Sequence, residues 1–201
     1  LKPMIYGLAF DKGLFTPRSV ISDVPVNFDG YTPENYDEHF HGQVALSDAL
    51  AQSLNIPAVK VLHAIEVKTL TETLDKINFK QIRKDKDKLG LSTALGGCGV
   101  SLEELTGMYT VFANNGKYFA PIFSKEDEDK NDSVKLMESA SISIILERLR
   151  RFKDLLYRKD VPEDDEIEVF INNLGRERMR ESLSMLFYII ENLHYVHPKD
   201  R

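Results

Sequence analysis

The sequence predicts a mainly α-helical fold. Its clearest segments repeat apolar residues at helical spacing, and several of them begin at a capping residue or end at a glycine. Extended stretches are short by comparison. A hydrophobic content of 42% with 29% charged residues is typical of a globular protein with a core, and 201 residues suffice for one domain with a small appendage.

The N-terminal part combines one helix with a long irregular stretch. An apolar run over residues 1–10 predicts a helix, which ends before Gly13. Residues 16–43 are rich in Pro, Gly, Asn and Asp, so we expect loops there, with short extended pieces such as residues 24–26. This stretch therefore separates the first helix from those that follow.

The middle of the chain predicts three more helices. Ser47 and Asp48 are expected to cap a short helix that continues through Leu54. Pro57 is tolerated in the first turn of a second helix, because a proline needs no hydrogen-bond partner there. The third helix is predicted over residues 70–77.

The next segments contain the clearest helix start in the sequence. Residues 80–88 carry mixed charges and are expected to form a solvated connection. Ser101 and Glu104 have the spacing of a capping box, and the helix that they start should end at residues 114–116. A short strand is predicted over residues 118–123.

The C-terminal part changes in character after a charged loop. Residues 125–132 are almost entirely charged and are expected to be exposed, whereas residues 139–157 predict a strong helix. Residues 150–201 contain two further apolar stripes at helical spacing, which we interpret as an antiparallel hairpin. These stripes need a partner, which is either each other or the helices of the earlier part of the chain. Apolar surface of those earlier helices that stays uncovered makes self-association a further expectation.

Composition and charge exclude several classes of protein. The net charge of -6 argues against a nucleic-acid-binding protein, which normally has a basic patch. No window contains the roughly 18 apolar residues that a membrane-spanning helix requires. The chain begins with Leu1 rather than Met and has no signal-peptide pattern, so we interpret it as an excerpt of a longer protein. The single cysteine, Cys98, leaves no internal disulfide.

Two histidines raise the question of a metal site. On a strand, His39 and His41 would place two imidazoles on one face, as at the start of a metal site. A third ligand at a useful spacing is not evident, so a polar loop is the better interpretation of this segment.

The residues with the clearest chemical potential are a lysine and a serine–asparagine pair. Ser53 and Asn55 lie at a break between two predicted helices, where a hydroxyl and an amide can both face a cleft. Lys2 lies at the start of the first helix, one turn after a position where a serine could stand, and a desolvated lysine can accept a hydroxyl proton. The alternatives are a helix end that satisfies its own backbone and a surface lysine.

Four ordered blocks of sequence are similar to class A penicillin-binding proteins. Residues 1–13 (LKPMIYGLAFDKG) resemble the segment after the reactive serine, where the family motif is Gly-Ser-Thr-Leu-Lys-Pro. Residues 30–37 (GYTPENYD) resemble a Tyr-x-Pro-x-Asn segment, and residues 49–59 (ALAQSLNIPAV) resemble the second motif with its flanks. Residues 91–104 (LSTALGGCGVSLEE) are most similar to the 1C-type branch, and the resemblance covers the chain to about Leu149.

This resemblance implies a D,D-transpeptidase that transfers acyl groups from D-Ala-D-Ala stem peptides of peptidoglycan and is acylated by β-lactams. Lys2 would be the general base, Ser53 would relay the proton to the leaving amine, and Asn55 would hold the substrate and orient Lys2. The resemblance implies neither a metal nor an organic cofactor. It also implies a location at the periplasmic face of the inner membrane, with an anchor that is not part of this chain.

Two departures from the family pattern affect fold and activity. The nucleophilic serine would precede Leu1 by two positions, and a Lys-Thr-Gly motif is absent from the sequence. We therefore expect residues 1–149 to be a partial transpeptidase domain, the helical lobe of a serine β-lactamase/transpeptidase-like α/β fold with the main sheet largely missing. Residues 150–201 are expected to be a helical tail of unknown origin. The chain by itself is expected to be inactive, and the alternative is a non-enzymatic helical binding or structural unit from a truncated or fused product.

Overall fold

The computed structural model of the protein describes residues 1–122 and 133–147. The α-helices described in full are α1 (Lys2–Asp11), α2 (Leu46–Ala51), α3 (Asn55–Ile65), α4 (Val67–Lys76), α5 (Lys80–Asp85) and α6 (Leu102–Ala113). A 3-10 helix spans Leu91–Leu95, and residues 139–147 are helical. The strands of the described part are β1 (Val20–Asp23), β2 (Gly42–Ala45), β3 (Lys117–Tyr118) and β4 (Val134–Lys135). The predicted mainly α fold is confirmed.

Helix α1 lies at the centre of the core. It is apolar on all sides, which is the pattern of a fully buried helix, and the residues of its middle turns are buried. Helices α2, α3 and α4 and the 3-10 helix all pack against it. Because Lys2 is the first residue of this helix, its ammonium group is brought to the edge of the core rather than into open solvent.

The stretch predicted to be loops contains a two-stranded sheet. Strand β1 pairs antiparallel with β2, with Val20 opposite Ala45 and Asp23 opposite Gly42. The piece expected to be extended, residues 24–26, lies just after β1 and is not a strand. Each strand has four residues, which is too short for a recognisable alternation, and the pairing joins segments that are far apart in the sequence.

The start of α2 differs from its prediction. The helix begins at Leu46 and ends at Ala51, and Ala45 at the N-cap position makes no side-chain hydrogen bond. Ser47, which was expected to be the cap, lies buried inside the first turn. The helix also does not reach Leu54, because the backbone turns sharply at Ser53.

Helices α3, α4 and α6 occur where their apolar spacing predicts them, and α6 has the predicted capping box. Glu104 N donates to Ser101 Oγ (3.1 Å), and Ser101 N donates to Glu104 Oε2 (2.8 Å). The other oxygen of the same carboxylate accepts a hydrogen bond from Lys80 N (2.7 Å) at the start of α5. Hydrogen bonds from these N–H groups outweigh the effect of burial and lower the pKa of Glu104.

The structure corrects the prediction that residues 80–88 form a solvated connection. Helix α5 forms there, because Ile82 is buried in the core and Glu104 caps the first turn from another helix. Neither contact is visible in the local charge pattern.

The last described segment returns to the core beside α1. Asp11 Oδ1 accepts hydrogen bonds from Glu138 N (3.0 Å) and Ser141 Oγ (2.7 Å), so the end of α1 caps the helix described over residues 139–147. Strand β3 (Lys117–Tyr118) shares only Tyr118 with the strand predicted over 118–123, and it pairs with β4.

The remaining C-terminal predictions fall outside the part of the chain that the structure describes. They are the charged loop at 125–132, the continuation of the helix predicted over 139–157, and the hairpin of 150–201. Among residues 1–122 and 133–147, no helix has the length and apolar character to span a bilayer.

Candidate active site

The structure brings the side chains of Lys2, Ser53 and Asn55 together. Lys2 Nζ lies 2.7 Å from Asn55 Oδ1 and 3.2 Å from Ser53 Oγ, and it also donates to the backbone oxygen of Ser53. The lysine comes from the first turn of α1, and the other two residues come from the junction between α2 and α3. Residues more than fifty positions apart therefore form one polar cluster at the edge of the apolar core.

A helix-terminating turn presents Ser53 to the lysine. Ser53 N donates to Leu50 O (3.1 Å), and Leu54 N donates to Ala49 O (2.9 Å). This pair of bonds defines a Schellman motif, in which the residue after the C-cap adopts the left-handed conformation and is usually glycine. Ser53 occupies that position with φ of 56°, so both its hydroxyl and its backbone oxygen can face Lys2.

Asn55 is held at both ends of its side-chain amide. As the first residue of α3, it accepts the lysine hydrogen bond at Oδ1 and donates from Nδ2 to Glu34 O (2.8 Å). These two bonds distinguish the oxygen from the nitrogen of the amide, because only the oxygen can accept from an ammonium group. The side-chain oxygen of Asn55, Oδ1, is therefore directed at Lys2.

Burial lowers the pKa of Lys2 to about 8. The acceptors around the amine are a hydroxyl, a backbone carbonyl and an amide oxygen, all of them uncharged. Among residues 1–122 and 133–147, no carboxylate in direct contact offsets the cost of burying the ammonium group. At pH 8 about half of the Lys2 amines are then neutral, roughly a hundred times the fraction of a lysine in water. The cluster can therefore contain a base near neutral pH.

Sequence reasoning missed a buried pair that supports this cluster, Asp23 and Asn35. Asn35 Oδ1 accepts hydrogen bonds from the backbone N–H groups of Asn55 (2.9 Å) and Ile56 (3.3 Å), and Asn35 Nδ2 donates to Asp23. The block at residues 30–37 contained a signal for Asn35, whereas nothing in the local sequence marked Asp23.

The histidine segment is a loop before β2 rather than part of a strand. His41 Nδ1 lies 2.8 Å from Asp23 Oδ2, and His41 Nε2 lies 3.6 Å from Asp37 Oδ2. His39 Nδ1 contacts the backbone oxygen of Asp37 (2.5 Å). Both imidazoles thus have partners within the loop and at the end of β1, in agreement with the predicted polar loop.

Comparison with known proteins decides the family. A profile described as the penicillin-binding protein transpeptidase domain matches residues 1–164. The chain belongs to this family. The transpeptidase family match includes Lys2, Ser53 and Asn55, as well as the buried Asn35.

Individual relatives support the resemblance to the 1C-type branch. The chain is 43% identical over 117 residues to penicillin-binding protein 1C of Escherichia coli, a match that covers 58% of this chain and 15% of that protein. It is 40% identical over 133 residues to penicillin-binding protein 1F of Bacillus subtilis, covering 64% of this chain and 18% of the relative. The chain therefore spans less than a fifth of the length of these curated relatives.

The fold is shared with a solved class A structure. Penicillin-binding protein 1A from Haemophilus influenzae superimposes with a TM-score of 0.61 at 20% sequence identity, over 85% of this chain and 31% of that chain. At this level of identity the similarity concerns the fold alone. It agrees with the predicted helical lobe of a transpeptidase-like fold.

Proposed function

We propose that this chain forms part of the active site of a peptidoglycan D,D-transpeptidase. The observation that supports the proposal best is the contact of the buried Lys2 amine with both Ser53 Oγ and Asn55 Oδ1. The reaction is acyl transfer: a serine oxygen bonds to the carbonyl carbon of the penultimate D-alanine, the peptide C–N bond breaks, and D-alanine leaves. An amine of a second stem peptide then resolves the serine ester.

Lys2 would act as the general base in the first step. In the family pattern the nucleophilic serine precedes Lys2 by three positions, which on a helix places the hydroxyl one turn from the amine. With a pKa near 8, the neutral amine is populated enough to accept the serine proton, and the ammonium that forms is stabilised by the oxygens of Ser53 and Asn55.

Ser53 would pass this proton to the leaving amine. Of the three acceptors around Lys2, only Ser53 Oγ carries a hydrogen of its own, so it alone can reverse its bond and donate to a neutral amine. A group that can both accept from and donate to Lys2 is suited to a relay. The proton would move from Lys2 to Ser53 Oγ while the Ser53 hydroxyl proton moves to the leaving nitrogen.

Asn55 would orient Lys2 and hold the substrate. Its oxygen accepts from the lysine and one hydrogen of its Nδ2 is donated to Glu34 O, and the second amide hydrogen would donate to a substrate carbonyl. The ligands of the complete protein would be stem peptides and β-lactams. The proposal places it at the periplasmic face of the inner membrane, anchored by sequence outside residues 1–201.

The nucleophile and the Lys-Thr-Gly strand would also come from sequence outside residues 1–201. The chain by itself is then not expected to be acylated. A fluorescent penicillin tests both statements: the 201-residue chain should remain unlabelled, and a longer protein that includes Gly-Ser-Thr directly before Leu1 and the third motif should be labelled covalently. Replacing the added serine by alanine is the matched control and should abolish labelling.

Each arm of the labelling experiment can contradict one statement. Covalent labelling of the 201-residue chain would overturn its expected inactivity. A folded, extended protein that does not react would overturn the transpeptidase proposal and favour the non-enzymatic helical unit. Circular dichroism of both proteins establishes that they are folded before labelling.

A further inference from the structure

The N-terminus of α3 is capped by a residue that is distant in sequence. Leu54 occupies the N-cap position and has no side-chain acceptor for the free N–H groups of the first turn. Asn35 Oδ1 accepts from two of them, Asn55 N at 2.9 Å and Ile56 N at 3.3 Å. Asn35 is only 5% exposed, so this cap is a buried contact.

The orientation of the Asn35 amide is determined by its nitrogen. Asn35 Nδ2 donates to Asp23 Oδ1 (2.9 Å), Asp23 Oδ2 (2.8 Å) and His39 O (2.9 Å). A flipped amide would place oxygen against these three acceptors and N–H groups against those of α3. Only one orientation therefore satisfies both sides of the side chain.

Asp23 is the fixed end of this arrangement. Its carboxylate has no exposed surface, and it also accepts hydrogen bonds from His41 N (3.0 Å) and contacts His41 Nδ1 (2.8 Å). A buried carboxylate with several donors is held firmly, because any movement leaves a charge unsatisfied. Its negative charge polarises the Asn35 amide towards α3, where the N-terminus of a helix favours negative potential.

The same short segment also holds the side chain of Asn55. Glu34 O accepts from Asn55 Nδ2 (2.8 Å), and the next residue, Asn35, accepts from Asn55 N. Backbone and side chain of Asn55 are therefore both attached to residues 34–35, and the one remaining polar atom of its amide, Oδ1, faces Lys2 at 2.7 Å. A shift of this segment must move the oxygen that contacts the amine.

We propose that Asn35 is a positioning residue of this site. Asp23 anchors Asn35, and Asn35 holds the N-terminus of α3 so that the side-chain oxygen of Asn55 contacts Lys2. The inference deepens the proposed function, since it concerns the environment of the same amine. A positioning role for Asn35 differs from a purely structural cap in one respect. Substitution of Asn35 must change the pKa of Lys2 and not only the stability of the fold.

The test is a titration of the Lys2 side chain by NMR in the 201-residue chain, which needs no nucleophile. In Asn35→Ala the first turn of α3 loses its acceptor and Asn55 Oδ1 is no longer held against Lys2, so the buried ammonium group loses a hydrogen bond and we expect the pKa of Lys2 to fall by about one unit. If Asn35→Ala does not fold, Asn35→Ser is titrated instead, because its hydroxyl is too short to reach both α3 and Asp23. The same fall in the pKa of Lys2 is expected.

The matched control is Asp11→Ala, which removes another cap donated by a distant side chain, at the opposite end of α1 from Lys2. It should lower stability while leaving the pKa of Lys2 within about 0.3 units of the parent value. An unchanged pKa of Lys2 in a folded Asn35 variant would overturn the positioning role. Since the titration is independent of penicillin labelling, that outcome and a failure of the proposed function are distinguishable.

Discussion

At the scale of single residues, the site combines a buried amine with uncharged oxygen atoms. Lys2 is the only one of the three clustered residues that can carry a positive charge, and its neighbours stabilise that charge by hydrogen bonds alone. Burial, with no carboxylate of the described part of the chain in contact, keeps the pKa of Lys2 near 8. The folded state is therefore less stable with Lys2 charged than it would be with the amine in water.

This cost predicts a dependence of stability on pH. Folding lowers the pKa of Lys2 from 10.5 to about 8, so between these values the unfolded chain binds more protons and stability rises with pH. Relative to Lys2→Met, the free energy of unfolding of the parent chain should rise by about 1–3 kcal/mol from pH 7 to pH 10. Urea unfolding of both proteins at the two pH values measures this, and a pH-independent difference would contradict it.

At the scale of helices and strands, several helix ends depend on side chains from elsewhere. Asn35 caps α3, Glu104 caps α5 as well as its own helix, and Asp11 caps the helix over 139–147. The N-cap residues of α2, α3, α4 and α5 make no side-chain cap of their own. Helices α3 and α5 therefore begin where a tertiary contact supplies an acceptor, rather than where a local capping residue stands.

The junction of α3 and α4 predicts a stabilising substitution. Glu66 joins the two helices with φ of 70° and ψ of 137°, a conformation that is strained for any residue with a Cβ atom, and its side chain is exposed. We expect Glu66→Gly to raise the free energy of unfolding by about 1 kcal/mol. The control is Glu72→Gly in the exposed middle of α4, which should lower it by about 1 kcal/mol. Urea unfolding measures both free energies. Opposite changes in the two variants would support strain at Glu66, and a lower free energy of unfolding in both would contradict it.

At the scale of the whole molecule, the segment over residues 133–147 packs against two glycines. A Cβ atom at Gly116 would overlap the carbonyl oxygen of Met137, whereas at Gly7 it would meet only the flexible end of the Met137 side chain. Gly116 also has φ of 87° and accepts hydrogen bonds from Leu136 N (2.8 Å) and Met137 N (3.3 Å). The backbone of Met137 therefore packs directly against the backbone of Gly116, which leaves no room for a side chain there.

Gly116→Ala should consequently be among the most damaging small substitutions. The new methyl group meets backbone, which cannot move aside, and the left-handed conformation adds strain, so we expect a loss of more than about 3 kcal/mol. Gly13→Ala is the control, because φ is 66° there but the space is open, and only about 1 kcal/mol should be lost. Thermal unfolding of both variants compares the two effects, and equal losses would show that the contact with Met137 is unimportant.

Local patterns account for a large part of what could be predicted. The apolar run of α1, the spacing of α3 and α4 and the capping box of α6 act within a few residues, so periodicity and capping chemistry predicted them. Lys2, Ser53 and Asn55 were indicated by blocks of sequence that resemble the family, and the family itself is confirmed. Their catalytic roles and the domain boundary after residue 149 stay predictions.

The sequence by itself thus determined the helical class, the family and the identity of the clustered residues, because each rests on local patterns or on ordered motifs. Only the tertiary structure decided the pairing of β1 with β2, the formation of α5, and the buried link from Asp23 through Asn35 to α3. These features share one physical reason. Each consists of hydrogen bonds or apolar contacts between segments far apart in the chain, and their partners become defined only when the core around α1 brings those segments together.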